Sequence, residues 1–135
     1  MSSPLIRRLH EELGFPLLDR QGADAFLAEG GEAVLFFSGD PGRYKETDDV
    51  AVILPELIKE FGGRLRAGVV DRESERELAA RYGFAVWPAL AFFRDGHYLG
   101  AITRMQDWEV YLQRIPEILS IRPAQNEPAV RYQAD

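Results

Sequence analysis

The apolar positions of this chain fall into short segments whose period changes repeatedly along its length. Leu5, Ile6, Leu9 and Leu13 recur at helical spacing between Ser3, a capping residue type, and Gly14, a helix stop, so residues 4–13 are predicted to form an amphipathic helix. Residues 15–18 are too few for a helix and predict a short strand. Ala25, Phe26 and Leu27 predict a helix over residues 21–28, ended by Gly30 and Gly31, which accept positive φ. The run Ala33-Val34-Leu35-Phe36-Phe37 lacks polar alternation and therefore predicts a strand covered on both faces, at the centre of a sheet.

A polar loop over residues 38–47 leads into Val50, Val52, Ile53, Leu54, Leu57, Ile58 and Phe61, which are apolar on most sides of a helix over residues 48–61. Pro55 removes one backbone donor within it and predicts a kink. Leu65, Ala67, Val69 and Val70 predict a second core strand ending at Asp71, which is placed to cap a helix that runs to Tyr82 and stops at Gly83. Ala89-Leu90-Ala91-Phe92-Phe93 predicts a third, and Asp95-Gly96 is a two-residue hairpin signal that returns residues 98–102 antiparallel. Trp108, Tyr111, Leu112, Ile115 and Leu119 mark a last helix over residues 106–119, with a bend expected at Pro116, and residues 122–135 have the weak periodicity of a flexible tail. Strands alternating with helices imply parallel pairs and right-handed crossovers. The expected fold class is α/β: a three-layer sandwich in one domain over residues 1–121, with a mixed central sheet, helices on both faces and helix 4–13 as an N-terminal extension.

Composition narrows the chemistry. The 135 residues include no cysteine, which excludes disulfides, thiolate metal sites and thiol nucleophiles. Twenty-two acids against sixteen Lys and Arg give a net charge of −6, the wrong sign for a protein that grips nucleic acid through phosphates and a suitable one for a basic partner. No segment approaches the roughly twenty apolar residues needed to span a bilayer. Arg7 and Arg8 are followed by His10, Glu11 and Glu12 where an export signal needs an apolar stretch, so a cytoplasmic location is expected. His10 and His97 lack carboxylates at metal-ligand spacing, and Ser38 lacks the Gly-x-Ser-x-Gly surround of a hydrolase nucleophile. No enzyme activity, metal or cofactor is expected. Residues 71–77 mix four acids with two arginines and read as a solvated helix face.

The central strand, a Pro-containing helix, a strand ending at Asp71, and Tyr82-Gly83-Phe84-Ala85-Val86-Trp87-Pro88-Ala89-Leu90 followed by Asp95-Gly96 together resemble thioredoxin. The Cys-x-x-Cys turn of that family is replaced here by Ser38-Gly39-Asp40-Pro41-Gly42-Arg43-Tyr44, so no redox activity is implied. With Asp48-Asp49-Val50-Ala51-Val52-Ile53-Leu54-Pro55-Glu56-Leu57, residues 15–121 are similar to the HupG/HyaE family of hydrogenase expression proteins, which keep the thioredoxin-like fold without its cysteines. The resemblance implies a chaperone that recognises the twin-arginine signal peptide of the small-subunit precursor of an uptake NiFe hydrogenase before twin-arginine export. An adaptor docking on folded hydrogenase maturation proteins is the alternative. The resemblance also implies a cis bond before Pro88, although an X–Pro bond is cis in only about 5–6% of cases in folded proteins.

Asp40, Glu46, Asp48 and Asp49 stand against Arg43 and Lys45 in the loop and first helical turn. Carboxylates there complement the helix dipole and cap free amides. They are also candidates to receive two adjacent arginines, whose planar forks suit paired carboxylates. Exposed ion pairs contribute only about 0–1 kcal/mol, whereas micromolar binding needs about 8 kcal/mol, so an apolar groove beside the acids is required. By the resemblance, Tyr44, Phe84, Trp87 and Pro88 are its candidate lining, and a cis bend would expose the Trp87 backbone to an added peptide strand.

Overall fold

A computed structural model describes residues 3–122 of the chain, and the expected tail beyond them lies outside the described residues. The elements run α1 (Pro4–Glu11), β1 (Leu17–Leu18), α2 (Arg20–Ala28), β2 (Glu32–Phe37), α3 (Thr47–Glu60), β3 (Leu65–Val70), α4 (Glu75–Tyr82), β4 (Ala89–Arg94), β5 (His97–Thr103) and α5 (Trp108–Leu119). One sheet has the order β1-β3-β2-β4-β5. β3 pairs parallel with both β1 and β2, while β4 runs antiparallel to β2 and to β5.

The alternation of side chains along β2 explains why its sequence is continuously apolar. Val34 and Phe36 face one core, shared with α1, α3 and α5, and Ala33, Leu35 and Phe37 face the other, shared with α2 and α4. All five are buried. The predicted N-terminal helix contributes Ile6 and Leu9 to the first core, so it packs against the domain as one of its covering helices. Ser3 caps it by accepting from the Ile6 N–H. Asp95 and Gly96 have φ of 52° and 84°, the pair of left-handed conformations that a two-residue turn needs to match the strand twist.

Several element ends shift by one or two residues from the sequence reading, and three further departures have a local physical cause. β1 is only two residues, because the Phe15 and Pro16 backbone carries no ladder and Pro16 supplies just its carbonyl to the Val69 N–H. Asp71 does not cap α4. Its carboxylate accepts from the Ser74 N–H and closes a turn, so α4 starts later, at Glu75. Trp108 does not join the buried side of α5: it is exposed, and Ile118 packs beside Tyr111, Ile115 and Leu119 instead. Gly83 ends α4 at φ 90°, as expected.

Candidate functional site

β2 and β4 lie side by side at the sheet centre, so the loop that leaves β2 and the segment that enters β4 meet at one sheet end. The Trp87–Pro88 bond is cis. Tyr44, in the first loop, stacks on Trp87, in the second, with ring centroids 6.3 Å apart and planes 27° apart. Gly39 makes this approach possible. It has φ 71°, and a Cβ there would lie 2.7 Å from Tyr44 Cδ2, closer than real Cβ contacts, and a tight 3.1 Å from Trp87 Cβ.

An open groove of about 470 Å³ lies against this aromatic pair. Tyr44, Ala85, Val86, Trp87 and Pro88 give it an apolar lining, with Arg43, Lys45, Glu46 and Arg104 at the rim. Val86 is exposed, at 46% of its full surface. Pro88 accepts from the Arg104 N–H through its carbonyl, but no hydrogen bond among the described residues engages the backbone of residues 85–87. The indole N–H of Trp87 is also buried without an acceptor among the described residues.

The four candidate acids are not brought together. Glu46 lies on the groove and is already occupied. Its two oxygens accept from Arg104 Nε at 3.1 Å and Nη2 at 2.8 Å, and Oε1 also accepts from the Met105 N–H at 2.7 Å. The guanidinium bond and that amide hold the Glu46 carboxyl below its ordinary range. Asp40 is exposed and turns its carboxylate onto the Gly42 N–H, fixing the loop, while its carbonyl accepts from the Arg43 and Tyr44 amides. Asp48 and Asp49 sit in the first turn of α3, where negative charge complements the helix dipole, and neither lines the groove. Phe84 does not line it either: it packs edge-on against Phe37, at 4.9 Å, in the second core. The groove rim therefore carries three cations against one acid, opposite in sign to the whole chain.

Glu75 is the residue that the sequence reading missed. Read as part of a solvated face, it is instead 4% exposed. Its carboxylate accepts from the Gly39 N–H at 3.0 Å and the Ser38 hydroxyl at 3.2 Å, tying α4 to the start of the groove loop, with Arg72 Nε 3.8 Å away. Desolvation raises its pKa, opposed by those hydrogen bonds and Arg72. The signal was present: Glu75, Leu78, Ala79 and Tyr82 follow i, i+3, i+4, i+7 spacing, and all four are buried. Thr47 completes the loop's anchorage, fully buried and donating its hydroxyl to the Ser38 carbonyl.

Among the described residues no histidine is hydrogen-bonded to Ser38. Ser38 bonds to Glu75 and to the Gly39 carbonyl, and His10 bonds to the Phe15 carbonyl in α1's exposed end. Among the described residues no group of three or more His, Asp or Glu side chains could hold a metal ion, and no helix is long and apolar enough to cross a membrane. What the groove offers is a strip of unpaired backbone, an apolar floor and polar side chains at its edge.

Comparisons with known proteins give the fold and the family of the chain. A thioredoxin from Halobacterium salinarum aligns with a TM-score of 0.64 over 91% of this chain and 99% of its own, at 16% identity, which establishes the thioredoxin-like fold. A crystal structure described as hydrogenase expression/formation protein hupG from Rhodopseudomonas palustris aligns with a TM-score of 0.56 and 47% identity, over 78% of this chain and 95% of that one. The hydrogenase expression/formation protein HoxO of Azotobacter vinelandii is 49% identical over 89% of this chain and 80% of its own length. HupG of Rhizobium leguminosarum bv. viciae is 44% identical over 89% of this chain and 83% of its own. The family model for the hydrogenase-1 expression protein HyaE matches residues 5–111, and with these relatives it makes the chain a member of the HyaE family of hydrogenase expression proteins, with a role in hydrogenase maturation.

Proposed function

We propose that this chain is a non-catalytic cytoplasmic chaperone that captures the twin-arginine signal peptide of a hydrogenase small-subunit precursor as an extended strand along residues 85–87. The observation that carries this reading is the coincidence of three consecutive residues of unpaired backbone with an apolar groove. An extended segment laid there satisfies main-chain donors and acceptors that otherwise bond only to water, while Tyr44, Val86 and Trp87 take its apolar side chains.

Glu46 is the carboxylate that receives an arginine. The way it holds Arg104, through two parallel N–H···O bonds with a backbone amide fixing one oxygen, is the arrangement that suits any guanidinium. Arg104 is well exposed and so is readily exchanged for an arginine of the incoming leader. Asp40, Asp48 and Asp49 contribute negative potential around the loop without direct contact, and the close-range contacts fall to Glu46, Tyr44, Trp87 and the backbone before Pro88.

Isothermal titration with a synthetic leader peptide and its Lys-Lys counterpart tests this. The arginine peptide binds more tightly, since lysine cannot form the paired fork. Trp87→Ala weakens both peptides, and Arg104→Ala tightens the arginine peptide by up to about fivefold by removing its internal competitor. Equal affinity for the two peptides sinks the arginine assignment, and binding unmoved by Trp87→Ala sinks the groove itself.

A further inference from the structure

A second, smaller cavity of about 160 Å³ shares the Tyr44–Trp87 pair with the groove. Arg43, Arg72 and Arg76 line it together with Gly39, Tyr44 and Trp87. Two acids also face it, and both are committed: Asp40 holds the Gly42 N–H, and Glu75 is buried against Ser38 and Gly39. Arg72 Nε lies 3.8 Å from Glu75. Arg43 and Arg76 are exposed and form no ion pair among the described residues, although most arginines in this acidic chain do. The Arg43 guanidinium lies over the Tyr44 ring, 5.5 Å from its centroid. Two guanidinium groups without an ion pair thus face one concavity, and their planar donor forks suit a carboxylate supplied from outside the chain.

We infer that this cavity is a carboxylate-binding subsite, in which Arg43 and Arg76 receive an Asp or Glu side chain of the same polypeptide that lies in the groove. Resting on the groove reading above, it gives that reading a direction. Arg43, Tyr44 and Trp87 line both cavities, so a chain that follows the aromatic pair can reach Glu46 in the groove and Arg76 in the smaller cavity. A bound segment is then selected by an arginine at one end and a carboxylate at the other, with apolar residues between.

Two measurements separate this inference from the reading it rests on. In the first, titration calorimetry compares a peptide carrying Arg-Arg, an apolar stretch and one Glu with its Gln counterpart, on the full chain and on the Arg76→Gln variant. Arg76 is exposed, lies outside the groove and has no hydrogen bond or ion pair among the described residues, so fold and groove are not at risk. The Glu peptide binds about fivefold more tightly than the Gln peptide, and the variant reduces that difference while keeping the affinity of the Gln peptide. Equal affinities on the unaltered chain, or a difference unchanged in the variant, overturn the subsite and leave the groove standing. In the second, sodium acetate is titrated into the full chain alone and the arginine side-chain NMR signals are followed. Movement confined to Arg43, Arg72 and Arg76 supports the subsite even if neither peptide binds, in which case only the groove reading falls. Equal movement at Arg7 and Arg114 overturns it as nonspecific.

Discussion

Gly39 is where backbone conformation and groove geometry meet, so Gly39→Ala is the most informative single change. At φ 71° an alanine is in the left-handed region, at a cost of about 1–2 kcal/mol. Its Cβ also has to displace Tyr44 Cδ2 from 2.7 Å and Trp87 Cβ from 3.1 Å. Overpacking of this kind costs about 1–3 kcal/mol, and the atoms that must move are the two walls of the groove. Gly83→Ala is the matched control. Gly83 has φ 90° and nothing within 4 Å of an added Cβ, so it pays the backbone term alone. The reduced unfolded-state entropy of alanine is common to both variants and cancels. Urea unfolding followed by far-UV circular dichroism is therefore expected to show Gly39→Ala less stable than Gly83→Ala by about 1–3 kcal/mol. Its near-UV signal changes as the Tyr44–Trp87 stack opens, and leader-peptide binding weakens in Gly39→Ala only. If the two variants are equally destabilised, the close approach of the loop to Trp87 is wrong. If the stabilities differ but affinity does not, the peptide binds elsewhere.

Two further substitutions probe the loop's anchors. Glu75→Gln keeps an acceptor for the Gly39 N–H and removes a buried charge. Burial raises the Glu75 pKa above its ordinary value of 4.5, so the folded chain holds that proton more tightly than the unfolded one. The stability it contributes is full below the unfolded pKa and is lost as pH rises through the folded one. The advantage of Glu75→Gln over the parent is thus expected to grow from acid toward neutral pH in denaturant titrations, and a gap that shrinks instead contradicts the assigned burial. Thr47→Val keeps shape but strips the donor from the Ser38 carbonyl, a buried acceptor with no other bond among the described residues. Thermal unfolding is expected to report a loss of about 1–3 kcal/mol, with Thr47→Ser losing less. Equal losses in the two variants assign the effect to the missing methyl rather than to the hydrogen bond.

The elements were legible because their signals are local. The unbroken apolar run of β2 requires cover on both faces, and the structure supplies it with helices on each side. Asp95-Gly96 can take two successive positive φ values and does so. The boundaries that moved depended on neighbours. Asp71 had a turn amide to satisfy before any helix began, and Trp108 met solvent where Ile118 met the core.

The site was legible only in part. Tyr44, Trp87 and Pro88 converge as the resemblance implies, since the sheet order places the β2 exit beside the β4 entry. The acids did not follow from counting charge along the loop. A carboxylate's role is set by the donor that reaches it, and Arg104, fifty-eight residues beyond Glu46, cannot be paired with it from sequence. Glu75 shows the same limit, its spacing marking the buried face while its partners Ser38 and Gly39 come from another strand's end.

Alone, the sequence determined the alternation of helices and strands, the absence of thiol chemistry and the place where two loops would bend, because hydrophobic period, residue type and turn propensity act over a few residues. Tertiary structure decided which charges are spent internally and which remain open. Ion pairs and buried hydrogen bonds are made through space, so a chain with net charge −6 could fold with a groove rimmed by cations.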